Sequence, residues 1–165
     1  MTEGLKTIIT GELARTFEDH HPLVFRTAYR ITGNAADAED VLQTVFLRLL
    51  KRPNPEAVKD MAGYLRRAAI NASLDLVRSR KYDRAVPLLE MPSAASDHDP
   101  GELKNALRRA LGRLSPKSAE VFALRFFEGL SNQEIARMLG VSRVLIAVMV
   151  HRARQQLGRE LSDYK

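Results

Sequence analysis

The side chains in this 165-residue chain that could do chemistry are arranged for recognition and not for breaking bonds. In the tract Leu130-Ser-Asn-Gln-Glu-Ile-Ala-Arg-Met-Leu-Gly-Val-Ser142, Ser131 and Glu134 read as a capping box. A hydroxyl and a carboxylate at that spacing each satisfy a backbone N–H left open at a helix start. Ile135, Ala136 and Leu139 then form an apolar stripe, Ala136 is small enough for a second helix to cross closely, and Gly140 supplies a left-handed corner. Ser142 caps the next helix, whose Ile146, Val150, Ala153 and Leu157 face inward and whose outer face is left for a major groove. The tract predicts a helix-turn-helix with nucleic acid as partner. The plainer alternative is an ordinary helical hairpin.

Catalytic groupings are not legible. His20, His21, His98 and His151 form neither a triad nor a metal pattern, and the adjacent His20 and His21 point to different sides of a helix. Asp37, Glu39 and Asp40 lack the order and the glycine of an EF-hand, and Gly112, Gly129 and Gly140 are isolated, with no P-loop or dinucleotide fingerprint. The expectation is no enzyme, no metal and no cofactor. A net charge of +6 favours a polyanionic partner. The chain has no cysteine, which suits the cytoplasm. No apolar run approaches the roughly 20 residues of a membrane span, and the N-terminus lacks the order of a signal peptide, so a soluble cytoplasmic protein without membrane insertion is expected.

The elements that must carry these residues are helices, since a period of about 3.6 dominates and no alternating strand pattern occurs. Helices are predicted near 11–32, 36–51, 60–82, 102–113, 117–128, 132–139 and 143–161. Between Val86 and Gly101, three prolines and several small polar residues read as a flexible linker. The expected fold is therefore all-α, with two small helical domains at 1–85 and 102–165 joined by the linker 86–101, the second domain being the helix-turn-helix.

Two constellations lie in the first domain. In Asp37-Ala-Glu-Asp-Val-Leu-Gln-Thr-Val-Phe46, the acids sit where a helix N-terminus favours negative charge. Val41, Leu42, Val45, Phe46 and Leu49 would face the core, leaving Glu39, Asp40 and Gln43 on an acidic outer patch. A well-stabilised first turn alone would also explain those acids. Farther on, Tyr64 to Lys81 sets Leu65, Ala68 or Ala69, Leu74, Leu76 and Val77 on an apolar side. Opposite lie Arg66, Arg67, Arg78, Arg80 and Lys81, a face able to neutralise phosphates or merely to be solvated. Asn71 and Asp75 fall one turn apart in this segment, where they could read bases or cap backbone.

Acidic helix, basic helix, linker and helix-turn-helix follow in an order that resembles the extracytoplasmic-function class (group IV) of bacterial sigma factors, two-domain members of the sigma-70 family. The resemblance covers nearly the whole chain. It is strongest at Asp37-Ala-Glu-Asp with Gln43 and Phe46, at Tyr64-Leu with Asn71, Asp75 and Arg78, and from Leu114-Ser-Pro through Glu128-Gly-Leu-Ser to His151-Arg-Ala-Arg154. It implies that Asp37, Glu39, Asp40 and Gln43 dock on the clamp coiled coil of core RNA polymerase. It implies also that Arg66, Arg67, Asn71, Asp75, Arg78, Arg80 and Lys81, with the Lys51–Gly63 loop, open and read the minus-ten element. The minus-thirty-five element would be read by Ser142, Arg143, Leu145, Val148, Met149, Arg152 and Arg154. Promoter DNA and polymerase are then the partners, with an anti-sigma factor as a further one.

Two departures stand out against that pattern. Tyr64 occupies a position where the family usually shows tryptophan, and is expected to be core. In the recognition helix, Leu145, Ala147, Val148 and Met149 replace residues that are typically threonine, lysine, serine and arginine. The groove-facing surface is thereby largely apolar, with Arg143, His151, Arg152 and Arg154 around its ends, and direct base reading should be weaker. Three accounts stay open. The chain is a sigma factor relying on phosphate contacts, thymine methyls and DNA shape; or the apolar face is a protein interface, for an anti-sigma factor, the other domain or a second copy; or the chain is an unrelated regulator or a domain repacked around that face.

Overall fold

A computed structural model describes residues 2–83 and 100–164. Among them are seven α-helices, two short 3-10 turns and no strand: α1 (Thr2–Thr32), α2 (Ala35–Lys51), α3 (Met61–Asp83), α4 (Pro100–Arg113), α5 (Pro116–Phe126), α6 (Asn132–Leu139) and α7 (Arg143–Glu160). The all-α expectation holds. Most of the expected linker, 86–99, which includes His98, lies outside the described residues, while Pro100 and Gly101 already belong to α4.

The chain divides into two compact units, residues 1–72 and 73–165, so the division falls within α3. In the first unit, α1 stops where Gly33 takes φ 79 and its N–H reaches the Tyr29 carbonyl at 2.8 Å. The very next residue, Asn34, caps α2. This two-residue connection lays α1 against α2, with Val24, Ala28 and Ile31 facing Ala38, Val41, Leu42, Val45, Phe46 and Leu49, all buried. The outward/inward assignment made for α2 is the observed one, and each fully buried Leu or Ile contributes about 1.5–3 kcal/mol. From α3, Leu65, Ala69 and Ile70 are also buried in this unit.

The second unit is built on α7. Its Ile146, Val150, Ala153 and Leu157 are buried, as are Val121, Ala123 and Leu124 of α5 and Ile135 and Ala136 of α6. Ser115 starts α5 by accepting from the Ser118 N–H at 3.3 Å, with Pro116 at the first helical position, where its missing N–H costs nothing. That helix ends at Phe126, two residues before the expected limit, because Gly129 turns the chain at φ 71 and the Leu130 N–H returns to the Leu124 carbonyl at 3.1 Å. In the first unit, α1 begins at Thr2, well before the expected residue 11, and continues through Pro22. Among the described residues no helix is long and apolar enough to cross a membrane.

Candidate nucleic-acid and polymerase interfaces

The corner between α6 and α7 is fixed by short polar side chains. Ser131 accepts from the Glu134 N–H at 3.1 Å, and its own hydroxyl donates to Glu134 Oε1 at 3.1 Å. The capping box is present, although the carboxylate takes the hydroxyl and not the Ser131 backbone N–H in the bonds seen. Gly140 ends α6 at φ 67, ψ 35, and the Val141 N–H returns to the Ala136 carbonyl at 3.1 Å. Two residues later the Ser142 hydroxyl accepts from the Leu145 N–H at 3.1 Å and starts α7.

What α7 shows outward follows from 3.6 residues per turn. With Ile146, Val150, Ala153 and Leu157 inside, Val144, Val148, His151 and Gln155 fall opposite, flanked by Leu145 and Arg152. Val144 is 73% exposed, Leu145 45% and Val148 39%. Met149 is half-buried, while Ser142, Arg143, Arg152 and Arg154 are exposed. Leu145, Val148 and Arg152 thus lie on the outward side, and Val144, the most exposed large apolar residue among the described residues, lies with them although it did not figure among the expected contacts. Its spacing of four from Val148 was the available signal. Arg154 stacks its guanidinium over Phe126, 5.6 Å from the ring centroid, and Phe126 packs on Phe122 at 4.6 Å. The sole carboxylate of α7, Glu160, is 3.0 Å from Arg113. Beside the helix, Asn132, Ala147, Val150, His151, Arg154 and Gln155 line a shallow groove.

On α2, Asn34 and Asp37 cap each other reciprocally. The Asp37 N–H donates to Asn34 Oδ1 at 2.8 Å, and Asn34 Nδ2 donates to Asp37 Oδ2 at 2.6 Å. Asp37 is only 3% exposed and its carboxylate is engaged in capping α2, which sets it apart from Glu39, Asp40 and Gln43, with which it was grouped. Glu39, Asp40 and Gln43 are all exposed on one side of the helix, as expected.

The basic segment of α3 is less uniform than its sequence suggests. Asp60 caps the helix by accepting from the Gly63 N–H at 3.0 Å, and a Cβ on Gly63 would collide with that carboxylate. Tyr64 is half-buried with Arg52 stacked 5.0 Å over its ring, a correction to its expected core position: the ring packs, and its outer face holds a cation. Arg66, Arg67 and Asn71 are half-buried, Asp75 and Arg80 are exposed, and Lys81 lies in the last turn. Arg78 turns away from the outer face. Its Nε donates to the Gly112 carbonyl of α4 at 3.3 Å and a terminal nitrogen lies 3.6 Å from Asp75. Among the described residues no three His, Asp or Glu side chains gather at metal-binding distance.

A helical unit carrying an acidic surface and a second unit carrying a helix-turn-helix define a nucleic-acid-directed regulator, and the comparisons with known proteins specify it. Residues 16–82 match the family model described as Sigma-70 region 2, and residues 104–157 match Sigma-70, region 4. The chain is 36% identical over 163 residues to the ECF RNA polymerase sigma factor SigE of Mycolicibacterium smegmatis, covering 93% of this chain and 62% of that protein. It is 35% identical over 155 residues to the RNA polymerase sigma-E factor of Streptomyces avermitilis, covering 92% of this chain and 84% of that one. Among solved structures, the sigma factor RpoE in complex with the anti-sigma factor NepR from Bartonella quintana aligns with a TM-score of 0.53 at 19% identity, over 92% of this chain and 97% of that one. CnrH in complex with the cytosolic domain of CnrY aligns with a TM-score of 0.53 at 24% identity, over 93% and 89%. These two support the fold. The chain belongs to the extracytoplasmic-function sigma factors of the sigma-70 family, the proteins that direct promoter-specific initiation by RNA polymerase.

Proposed function

We propose that this chain works as a sigma factor through a division of labour between its two regions, acting in the cytoplasm. Glu39, Asp40 and Gln43 attach region 2 to core polymerase. Arg66, Arg67, Asn71, Asp75, Arg80 and Lys81, with the Lys51–Gly63 loop, hold the minus-ten element, and α7 fixes register on the duplex upstream. The domain limits follow the same reading: a region 2 domain to about residue 85, a linker, and a region 4 domain from about residue 102. The chain supplies no catalytic step, and the polymerase performs the chemistry. The observation that carries this is the occurrence, in one chain and in this order, of the two matched regions, with the acidic patch exposed on the first and the cation-flanked helix on the second.

The loop offers no aromatic platform, so capture of an unpaired base there rests on hydrogen bonds and shape. Upstream, the exposed N-terminal turn of α7 and the groove lined by Asn132, His151 and Arg154 suit backbone phosphates, which set register without reading sequence. The test is native co-purification with bacterial core polymerase. Asp40→Lys with Gln43→Ala should weaken the complex about tenfold or more, since a reversed charge in a charge-matched contact is worth at least ~1.4 kcal/mol. Circular dichroism should show an unchanged fold, because both side chains are exposed. Undiminished affinity would reject the assignment.

A second reading rests on the exposed Val144, Leu145 and Val148, since a contiguous apolar surface commonly marks a protein partner. In that reading the face receives an anti-sigma factor and the chain is silent until released.

A further inference from the structure

We propose that α7 reads its upstream duplex through thymine methyl groups, so that Val144, Leu145 and Val148 are the residues that set sequence preference. The proposal rests on the sigma-factor reading above and specifies what that reading leaves open, the chemistry of upstream recognition. In a helix-turn-helix, the first residues of the second helix meet the base edges. Here those outward positions are Val144, Leu145 and Val148, with Ala147 at the side, and none carries a hydrogen-bond donor or acceptor.

Each base edge in the major groove demands something different of the protein. Guanine offers two acceptors, adenine an acceptor and a donor, cytosine a donor, and thymine an acceptor beside a methyl group. Only the methyl gains from an aliphatic neighbour. A valine or leucine pressed on guanine N7 and O6 would strip water from two acceptors without replacing the hydrogen bonds, which penalises G·C pairs as surely as the methyl contact rewards A·T pairs. Preference therefore comes from both signs of the same surface.

Charge favours DNA as the occupant of this face, and a fixed first turn presents it. Arg143, Arg152, Arg154 and Arg159 lie on α7, whose one carboxylate is 3.0 Å from Arg113 at the far end of the helix. Arg143 before the apolar strip and Arg152 after it are exposed, cations placed to meet phosphate backbones beside a floor of methyl groups. Ser142 holds the Leu145 N–H, which fixes the first turn of α7 and aims Val144 and Leu145 outward as a rigid pair. In this proposal the arginines hold phosphates and the aliphatic strip discriminates.

The experiment uses the full chain assembled with bacterial core polymerase. A duplex library, randomised over the upstream element, is selected on this holoenzyme, and the best duplex is remade with deoxyuridine at one upstream thymine at a time, removing only the methyl. The proposal expects a thymine-rich selected motif and a loss of about fourfold in affinity for each contacted methyl, the equivalent of burying one methyl-sized group at ~0.8 kcal/mol. In Val148→Ala and Leu145→Ala the uridine penalty should shrink at one position each, while arginine variants lower affinity for both duplexes equally. Equal binding of thymine and uridine duplexes by a transcriptionally active holoenzyme would overturn the proposal and leave the sigma-factor reading intact. Selection of a guanine-anchored motif would overturn it in the same way. Self-association that Val148→Asp abolishes would also overturn it and assign the strip to a protein interface. A chain that fails to bind core polymerase would bring down both readings.

Discussion

Replacing Asp37 with alanine separates a structural acid from a functional one on the same helix. The carboxylate accepts from Asn34 Nδ2 at 2.6 Å, and the Asn34 side chain in turn accepts from the Asp37 N–H at 2.8 Å. The substitution removes a hydrogen bond to a charged group, worth about 1.5–3 kcal/mol, and a negative charge at a helix N-terminus, worth about 0.3–1 kcal/mol. Part of the first is recovered because Asn34 is only partly buried and can turn to water. A net loss of about 2 kcal/mol follows, and amide protection in peptides from α2 should fall about thirtyfold when hydrogen exchange is followed by mass spectrometry. Asp37→Asn, which keeps the shape and loses the charge, should lose about half as much in free energy. Under conditions where both variants are folded, affinity for core polymerase should stay within about twofold, because the side chain is 3% exposed. Unchanged protection over residues 35–51 together with a clear loss of polymerase binding would refute the reasoning and return Asp37 to the interface.

Two other outcomes are expected. Gly140→Ala should destabilise the second unit by about 1 kcal/mol in thermal or urea unfolding, since a Cβ there meets nothing within 4 Å and the cost is the left-handed backbone alone; Gly140→Asn should recover part of it. Arg80→Ala should lower the slope of log affinity against log salt in promoter binding by about 0.7–0.9, one phosphate's worth, whereas Arg78→Ala should change the slope less and stability more, because Arg78 is tied to the Gly112 carbonyl and to Asp75. Equal slope changes for the two arginines would place both on the DNA.

Local signals made the helix-turn-helix legible. Ser131, Gly140 and Ser142 act on backbone groups within four residues of themselves and Glu134 on the Ser131 hydroxyl, so the sequence contains the whole of their cause, and α6 occupies the predicted residues 132–139. The buried faces of α2 and α7 were legible for a related reason, since the period of a helix decides which side chains share a side. Three features were misread. An acid in a first turn can cap or can face solvent, and Asp37 was grouped by its charge although Asn34, three residues before it, is a suitable capping partner. Arg78 was placed with the phosphate-binding cations because its helix position is outward-looking from the chain alone; the carbonyl that claims it lies 34 residues away. Tyr64 was expected inside, and the cation that stacks over it comes from a loop whose path the sequence leaves open. For Arg78 and Tyr64 what was hidden is a partner supplied by another element, whereas the Asn34–Asp37 pair is local and its signal was read as charge alone.

The corner between α6 and α7 has a consequence for how such a protein diversifies. Its hydrogen bonds come from Ser131, Glu134, Ser142 and the backbone around Gly140. Its packing comes from Ile135, Ala136, Ile146 and Val150. Neither set uses the side chains of Val144, Leu145, Val148 or Arg152, so the scaffold and the outward face are separate parts sharing one helix. Exchanging the outward side chains leaves the scaffold's bonding untouched, so single substitutions on this face should change what it contacts without undoing the corner.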